Sequence, residues 1–352
     1  MFLMKTSTPH KAVALLSGGL DSMLAILTVL RQGIAVNAIQ FMTPFDPIAS
    51  DDPTFCGIRC QSLSHTYGFE ITVRHLRHEM IDIVTKPKHG YGKNMNPCID
   101  CRILMLKEAR QYMEAVGADF LVTGEVLGQR PMSQRKDMLY HIDKEAGVID
   151  TVVRPLSAKL LRITVPEHKG IIDRGMLYAL SGRSRKPQIA LASEFGLENY
   201  PSPGGGCLLT EPNYAFRLKD LLAYDANPAI RDIDLLRIGR HFRYSPRCKI
   251  IVGRDEAENA IIESVAADRD YLLRVEGFGS PMTLVIGEIT AESLRVAAAI
   301  CGRYSDVKDL HEVVVKVVQR GQTSIMSTSP ADDEIIDAIR IEKRKTRDQA
   351  IA

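Results

Sequence analysis

The sequence predicts an α/β domain built on a parallel sheet with helices on both faces, followed by a smaller α+β domain. Three observations carry this. Short apolar runs alternate with stretches of helical periodicity over the first 200 residues, the pattern of a parallel sheet with crossover helices. A turn of small residues, Ser17-Gly18-Gly19-Leu20-Asp21-Ser22, joins the first apolar run to the first helical one. After Glu211 the composition changes and basic residues interleave with aromatics. The expected division is 1–210 for the first domain, 211–227 for a connector, 228–325 for the second domain and 326–352 for a tail.

Whole-chain quantities fit this reading. A chain of 352 residues with 45% hydrophobic and 25% charged content has ample core for two domains. The net charge of +2 announces no polyanion partner, so one would need a local basic patch. No apolar run approaches the roughly 18 residues of a membrane span. Residues 1–11 hold no apolar segment of signal-peptide length, and a cytoplasmic protein without membrane association is expected. Seven cysteines then point to thiols or metal ligands rather than a disulfide framework.

In chain order, Ala12–Leu16 reads as a buried strand and Met23–Leu30 as a helix. Gly18 and Gly19 let the backbone bend and approach a ligand, while Ser17, Asp21 and Ser22 can cap a helix whose start attracts phosphate. The spacing is neither the three-glycine dinucleotide fingerprint nor the loop ending in Gly-Lys-Ser/Thr. Ile34–Phe41 is a second strand, and Cys56 and Cys60 share a face if residues 56–67 are helical; buried structural thiols are the plainer reading of that pair. Glu70–Leu76 alternates like a strand. A basic loop, 86–94, leads into Asn96-Pro97-Cys98-Ile99-Asp100-Cys101 and a helix over 98–116. Phe120–Glu125 is the next strand and turn. Ligands of such sheets bind at the carboxyl ends of the strands, where Ser17, Cys98 and Gly124 would converge. Tyr200–Cys207 places three glycines directly before a cysteine, a backbone able to wrap closely around something bulky. Cys98 and Cys101 with distant Cys207 suit thiolate ligation of an iron–sulfur cluster or zinc.

These residues carry a resemblance. Ser-Gly-Gly-Leu-Asp-Ser after a buried strand resembles the PP-loop of ATP pyrophosphatases, which split ATP into AMP and pyrophosphate to activate an oxygen. Gly124–Gln134, followed by Arg154-Pro155-Leu156, is similar to the matching segment of tRNA thiouridine synthases. The resemblance implies an ATP site of Ser17, Gly18, Gly19, Asp21, Ser22, Gly124 and Gln129, with Ser133 and Gln134 nearby or capping the next helix. It implies Mg2+ as counter-ion to the phosphates, with Asp21 organising the metal or a reacting proton. In iron–sulfur-dependent members three cysteines, here matching Cys98, Cys101 and Cys207, hold a [4Fe-4S] cluster with one iron free. Relatives without a cluster use two cysteines, one carrying a persulfide, and Cys98 and Cys207 would serve for that. The implied reaction is ATP-dependent thiolation of a pyrimidine in tRNA, with Asp21, Cys98 and Cys207 as catalytic residues.

In the C-terminal region, Gly239-Arg240-His241-Phe242-Arg243 with Val252-Gly253-Arg254-Asp255-Glu256-Ala257-Glu258-Asn259 resembles the RNA-binding domain of NFACT-type proteins, over about residues 228–320. Arg240, His241, Phe242, Arg243 and Arg254 are the RNA-contact candidates, basic groups for phosphate and aromatic faces for bases. An amphipathic strand with a solvated basic face is the plainer alternative. The partners expected are tRNA and a sulfur donor, either sulfide or a persulfide-carrying protein. Oligomeric state stays open, with a homodimer as one possibility. A PP-loop synthetase forming an amide on a small substrate, and an RNA-binding protein with an inert PP-loop, are the rival readings.

Overall fold

A computed structural model describes residues 10–46, 64–198, 200 and 207–342. The chain divides into two compact units, Met1–Cys207 and Leu208–Ala352. Cys56, Cys60, the three glycines before Cys207 and the basic residues 343–347 lie outside the described residues.

The first unit holds a five-stranded parallel sheet of β1 (Lys11–Leu15), β2 (Ala35–Met42), β3 (Glu70–His75), β4 (Phe120–Thr123) and β5 (Val152–Val153), in the order β3-β2-β1-β4-β5. The helices with described bounds are α1 (Leu20–Leu30), α2 (His78–Thr85), α3 (Cys98–Ala115), α4 (Lys136–Ala146), the single turn α5 (Val165–His168) and α6 (Lys186–Glu194). The alternation of side chains along a strand splits the core in two. Ala12, Ala14, Phe120 and Val122 face α1 and α6, whereas Val13, Leu15 and Leu121 face α3 and α4. Helices therefore cover both faces, as the sequence predicts. The strand order reverses direction between β1 and β4, and in open α/β sheets the crevice outside that switch point is where ligands bind.

The second unit holds α7 (Pro212–Tyr224) and α8 (Ile230–Asp234), then a six-stranded antiparallel sheet. Its strands are β6 (Arg240–Ser245), β7 (Cys248–Val252), β8 (Tyr271–Val275), β9 (Thr283–Gly287), β10 (Val313–Gln319) and β11 (Gln322–Thr328), ordered β11-β10-β8-β9-β7-β6. The remaining helices are α9 (Glu256–Val265), α10 (Ala291–Arg303) and α11 (Asp333–Ile339). Apolar residues from α10 and α11 pack with Ile250, Val252, Leu273 and Val315, and Ile262 of α9 packs on Ile251 and Leu284. β11 and α11 carry regular structure to Ile339, past residue 325. No helix among the described residues is long and apolar enough to cross a membrane.

Candidate active site

The turn between β1 and α1 depends on its glycines. Gly18 sits at φ +73°, the left-handed region that side chains disfavour. Gly19 is the N-cap, extended at φ −83° and ψ 160°, with no side-chain cap bond. The expected caps act otherwise: the Ser22 hydroxyl donates to the Gly19 carbonyl at 2.8 Å and accepts from the Ser17 N–H at 3.3 Å. The Ser17 hydroxyl lies 3.2 Å from that of Ser22. No side-chain cap therefore covers the first-turn N–H groups of α1, as an anion-binding helix start requires.

Asp21 joins this turn to the segment after β4. Its Oδ2 accepts from the Gln129 amide at 3.0 Å, while Oδ1 is buried and has no hydrogen-bond partner among the described residues. A buried carboxylate oxygen without a donor suits a hard cation. Gly124 serves close packing: a Cβ there would lie 2.5 Å from the Asp21 carbonyl carbon and the Ser22 nitrogen. Ser133 and Gln134 are buried. The Gln134 side chain accepts from the Arg130 N–H at 3.0 Å, and its carbonyl accepts from the Gly128 N–H at 2.7 Å. Gln134 thus closes the loop that aims Gln129 at Asp21.

Behind this loop lies a buried ion network. Arg154 donates to Glu125 at 2.9 Å and to both carboxylate oxygens of Asp143 at 2.8 and 2.9 Å. Arg102 faces the other Glu125 oxygen at 3.3 Å. Burial pushes the Glu125 carboxyl up, but the Arg154 and Arg102 guanidiniums outweigh it and hold it below the usual range. At Asp143 burial wins and the carboxyl is raised despite Arg154.

The three candidate thiols of the first unit come from two segments. Cys98 and Cys101 occupy the first turn of α3 and are half-buried. Burial pushes the Cys98 thiol up, opposed by Arg130 and Arg102. Burial pushes Cys101 to about 11, with Arg102 and Arg130 pulling down and Cys98 and Asp46 pushing up. The Cys207 sulfur donates to the Phe45 carbonyl at 3.3 Å, in the turn after β2 that also holds Asp46. Arg130, next to Gln129, thus lowers the pKa of the Cys98 and Cys101 thiols electrostatically, and Asp46, beside the Phe45 carbonyl that holds Cys207, raises that of Cys101. Among the described residues the three sulfurs are not gathered within 4.8 Å of one another, the spacing a single ion needs.

In the second unit the five RNA-contact candidates fare unequally. Phe242 is fully buried in the core beneath α10, so its ring offers no face to a base. His241 is also fully buried, bonded through Nε2 to the Ile238 carbonyl at 2.7 Å; burial, reinforced by Lys249 and Arg217, holds its pKa well below the ordinary value. These two placements correct the reading of the strand as an exposed aromatic surface. Arg240 lies 4.5 Å over the Tyr304 ring and donates to the Gly253 carbonyl at 3.2 Å. Arg243 is paired with Asp220 and lies 4.8 Å over the Tyr224 ring. Arg254 is the most exposed of the three arginines and pairs with Glu258.

Comparison with known proteins reads the two units separately. A family model described as "Thiamine biosynthesis protein (ThiI)" matches residues 7–159. A model described as "NFACT protein RNA binding domain" matches residues 239–339. A "Probable tRNA sulfurtransferase" of Lysinibacillus sphaericus is 31% identical over 173 residues, 48% of this chain and 41% of that protein. The "tRNA-specific 2-thiouridylase MnmA" of Pseudomonas aeruginosa is 26% identical over 250 residues, 67% of this chain and 61% of that protein. This chain therefore spans less than two thirds of the length of these curated relatives. Among solved structures, a 4-thiouridine synthetase–RNA complex with bound ATP aligns at 20% identity over 65% of this chain and 52% of that chain, with a TM-score of 0.36.

The first unit also contains residues that sequence reasoning passed over. Arg102 and Arg130 set the charge around the thiols, and Glu125 ties Arg102 to the buried network. Arg102 follows Cys101 directly and Arg130 follows Gln129, so adjacency to recognised residues was the available signal. Gln188 on α6 is 1% exposed, and neither of its amide atoms has a hydrogen-bond partner among the described residues. Only its place at a helix start was visible in the sequence.

Proposed function

We propose that the chain is an ATP-dependent tRNA sulfurtransferase. One observation carries the reading: Asp21 of the glycine turn bonds Gln129, and the adjacent Arg130 acts on the thiols of Cys98 and Cys101. A nucleotide-activating turn and a sulfur-handling pair thus share a short segment. The ThiI-type and RNA-binding domain matches support RNA as the substrate.

In this reading ATP lies against the first turn of α1, whose N–H groups and the Ser17 hydroxyl face its phosphates, while Ser22 braces the turn. A pyrimidine carbonyl oxygen attacks the α-phosphorus and pyrophosphate leaves. The resulting adenylated oxygen departs as AMP when sulfur attacks the same carbon, and a thiocarbonyl remains. Gln129 holds Asp21 with one oxygen turned inward, and Asp21 would hold Mg2+ there. Bound, that ion would offset phosphate charge.

The thiol set fits a [4Fe-4S] cluster better than free nucleophilic cysteines. A persulfide-forming cysteine works as a thiolate, and the pKa of both Cys98 and Cys101 is shifted upward. Metal ligation removes a thiol proton outright. Cys98, Cys101 and Cys207 would hold the cluster, whose open iron would supply a binding position for sulfide. Arg240, Arg243 and Arg254 are the candidates for phosphate contacts in the RNA-binding domain.

The test is ATP–pyrophosphate exchange with and without tRNA. Stimulation by tRNA supports the reading, and exchange driven by a small carboxylic acid without RNA refutes it. Iron and sulfide analysis of anaerobically purified protein decides between the thiol mechanisms: colourless, fully active protein excludes the cluster.

A further inference from the structure

Apart from the thiols, the first unit gathers a second set of metal-ligating atoms. His141 and Glu145 stand one turn apart on α4 and so share a face. His89 comes from the loop between α2 and α3. A ring nitrogen of each histidine and a carboxylate oxygen of Glu145 all lie within 4.8 Å of one another. His89 Nε2 and His141 Nε2 are 3.0 Å apart. Two imidazole nitrogens each about 2.1 Å from one ion, at angles between a right angle and tetrahedral, stand about 3.0–3.4 Å apart.

The orientation of His89 is imposed from behind. Asp100 Oδ1 lies 2.7 Å from His89 Nδ1, and Oδ2 accepts the His89 backbone N–H at 3.0 Å. A carboxylate on Nδ1 places the proton there and leaves Nε2 with its lone pair outward, the arrangement that readies a histidine for a metal. Asp100 itself is buried, 8% exposed, between Cys98 and Cys101.

We propose that His89, His141 and Glu145 bind a divalent first-row transition ion, which braces the loop leading into Cys98 and Cys101 against α4. Two imidazoles and one carboxylate suit Zn2+, Co2+ or Ni2+ rather than the all-oxygen ions Mg2+ and Ca2+. Lys88 competes: its ammonium lies 2.6 Å from Glu145, but the side chain is two-thirds exposed and free to swing into solvent. The site stands apart from the thiolation chemistry and does not depend on it.

The test uses the full chain with Cys98, Cys101 and Cys207 changed to Ser, titrated with Co2+ and then Zn2+ and followed by visible absorption and calorimetry. One Co2+ per chain is expected, with ligand-field bands, no sulfur-to-metal charge transfer, and displacement by Zn2+. His141→Ala and Glu145→Gln each weaken binding at least tenfold, Asp100→Asn weakens it about 10–100-fold, and Lys88→Ala tightens it. Circular dichroism checks that each variant is folded, and Glu145→Gln, on a half-exposed helix face, serves if His141→Ala is not. Absence of binding, a sulfur-ligated cobalt spectrum, or affinities unchanged in both His141→Ala and Glu145→Gln overturns the proposal. None of these outcomes bears on tRNA-stimulated exchange, so the two readings fail independently.

Discussion

Gly124→Ala isolates the packing that holds the nucleotide turn. The added methyl carbon would lie 2.5 Å from the Asp21 carbonyl carbon and the Ser22 nitrogen, and 2.6 Å from the Asp21 oxygen. All three are backbone atoms in the first turn of α1, so no side-chain rotation relieves the clash. Restoring ordinary contact requires the end of β4 and the start of α1 to separate by about 1 Å, given that carbon contacts optimise near 3.5–4.0 Å. Overpacking of this kind costs about 1–3 kcal/mol, which for a unit of this size lowers Tm by roughly 3–10 °C. The effect on activity is larger. The same 1 Å separates Asp21 from Gln129, and misplacement on that scale costs about 100-fold in rate. Thermal denaturation and ATP–pyrophosphate exchange on the same preparation measure both. A folded Gly124→Ala protein with wild-type exchange would refute the inference that this contact positions the turn.

Arg154→Ala leaves Glu125 and Asp143 buried without their shared cation; a loss of about 3–5 kcal/mol is expected in denaturant unfolding. Arg130→Ala removes a positive charge that lowers the Cys98 thiol pKa, so the pH at which Cys98 becomes half-maximally reactive moves upward, read by iodoacetamide labelling and mass spectrometry. Lys249 supplies a pH signature. Burial and the neighbouring Arg243 lower its pKa to about 7 against Asp220 and Asp232, whereas an unfolded lysine stays protonated to near its ordinary value of 10.5. Between these values the unfolded state binds the extra proton, so stability rises with pH from about 7 towards 10.5. Lys249→Met is expected to flatten that rise in unfolding curves of the full chain.

The nucleotide turn and the strand–helix alternation were legible in the sequence because each rests on local pattern. A positive φ at Gly18 and a buried run at Ala12–Leu15 need no distant partner to be recognised. The Cys98–Cys101 helix was legible for the same reason. The Asp21–Gln129 bond joins positions 108 residues apart, and the His89–His141 contact joins positions 52 apart; only folding brings them together. β6 misled because basic and aromatic residues alternate there, a pattern that suits both an RNA surface and a strand covered on both faces. His241 and Phe242 are both buried, facing opposite sides of the sheet, and the flanking arginines are held by Gly253, Tyr304, Asp220 and Tyr224.

Mass spectrometry of nucleosides from tRNA incubated anaerobically with the protein, ATP and sulfide is the most direct measurement. A thiolated pyrimidine should appear with one AMP and one pyrophosphate per sulfur inserted. Cys98→Ala should abolish it while leaving tRNA-stimulated pyrophosphate exchange in place. Thiolation that persists without Cys98, or ATP cleavage that never yields a thionucleoside, would contradict the pairing of nucleotide turn and thiols in one reaction.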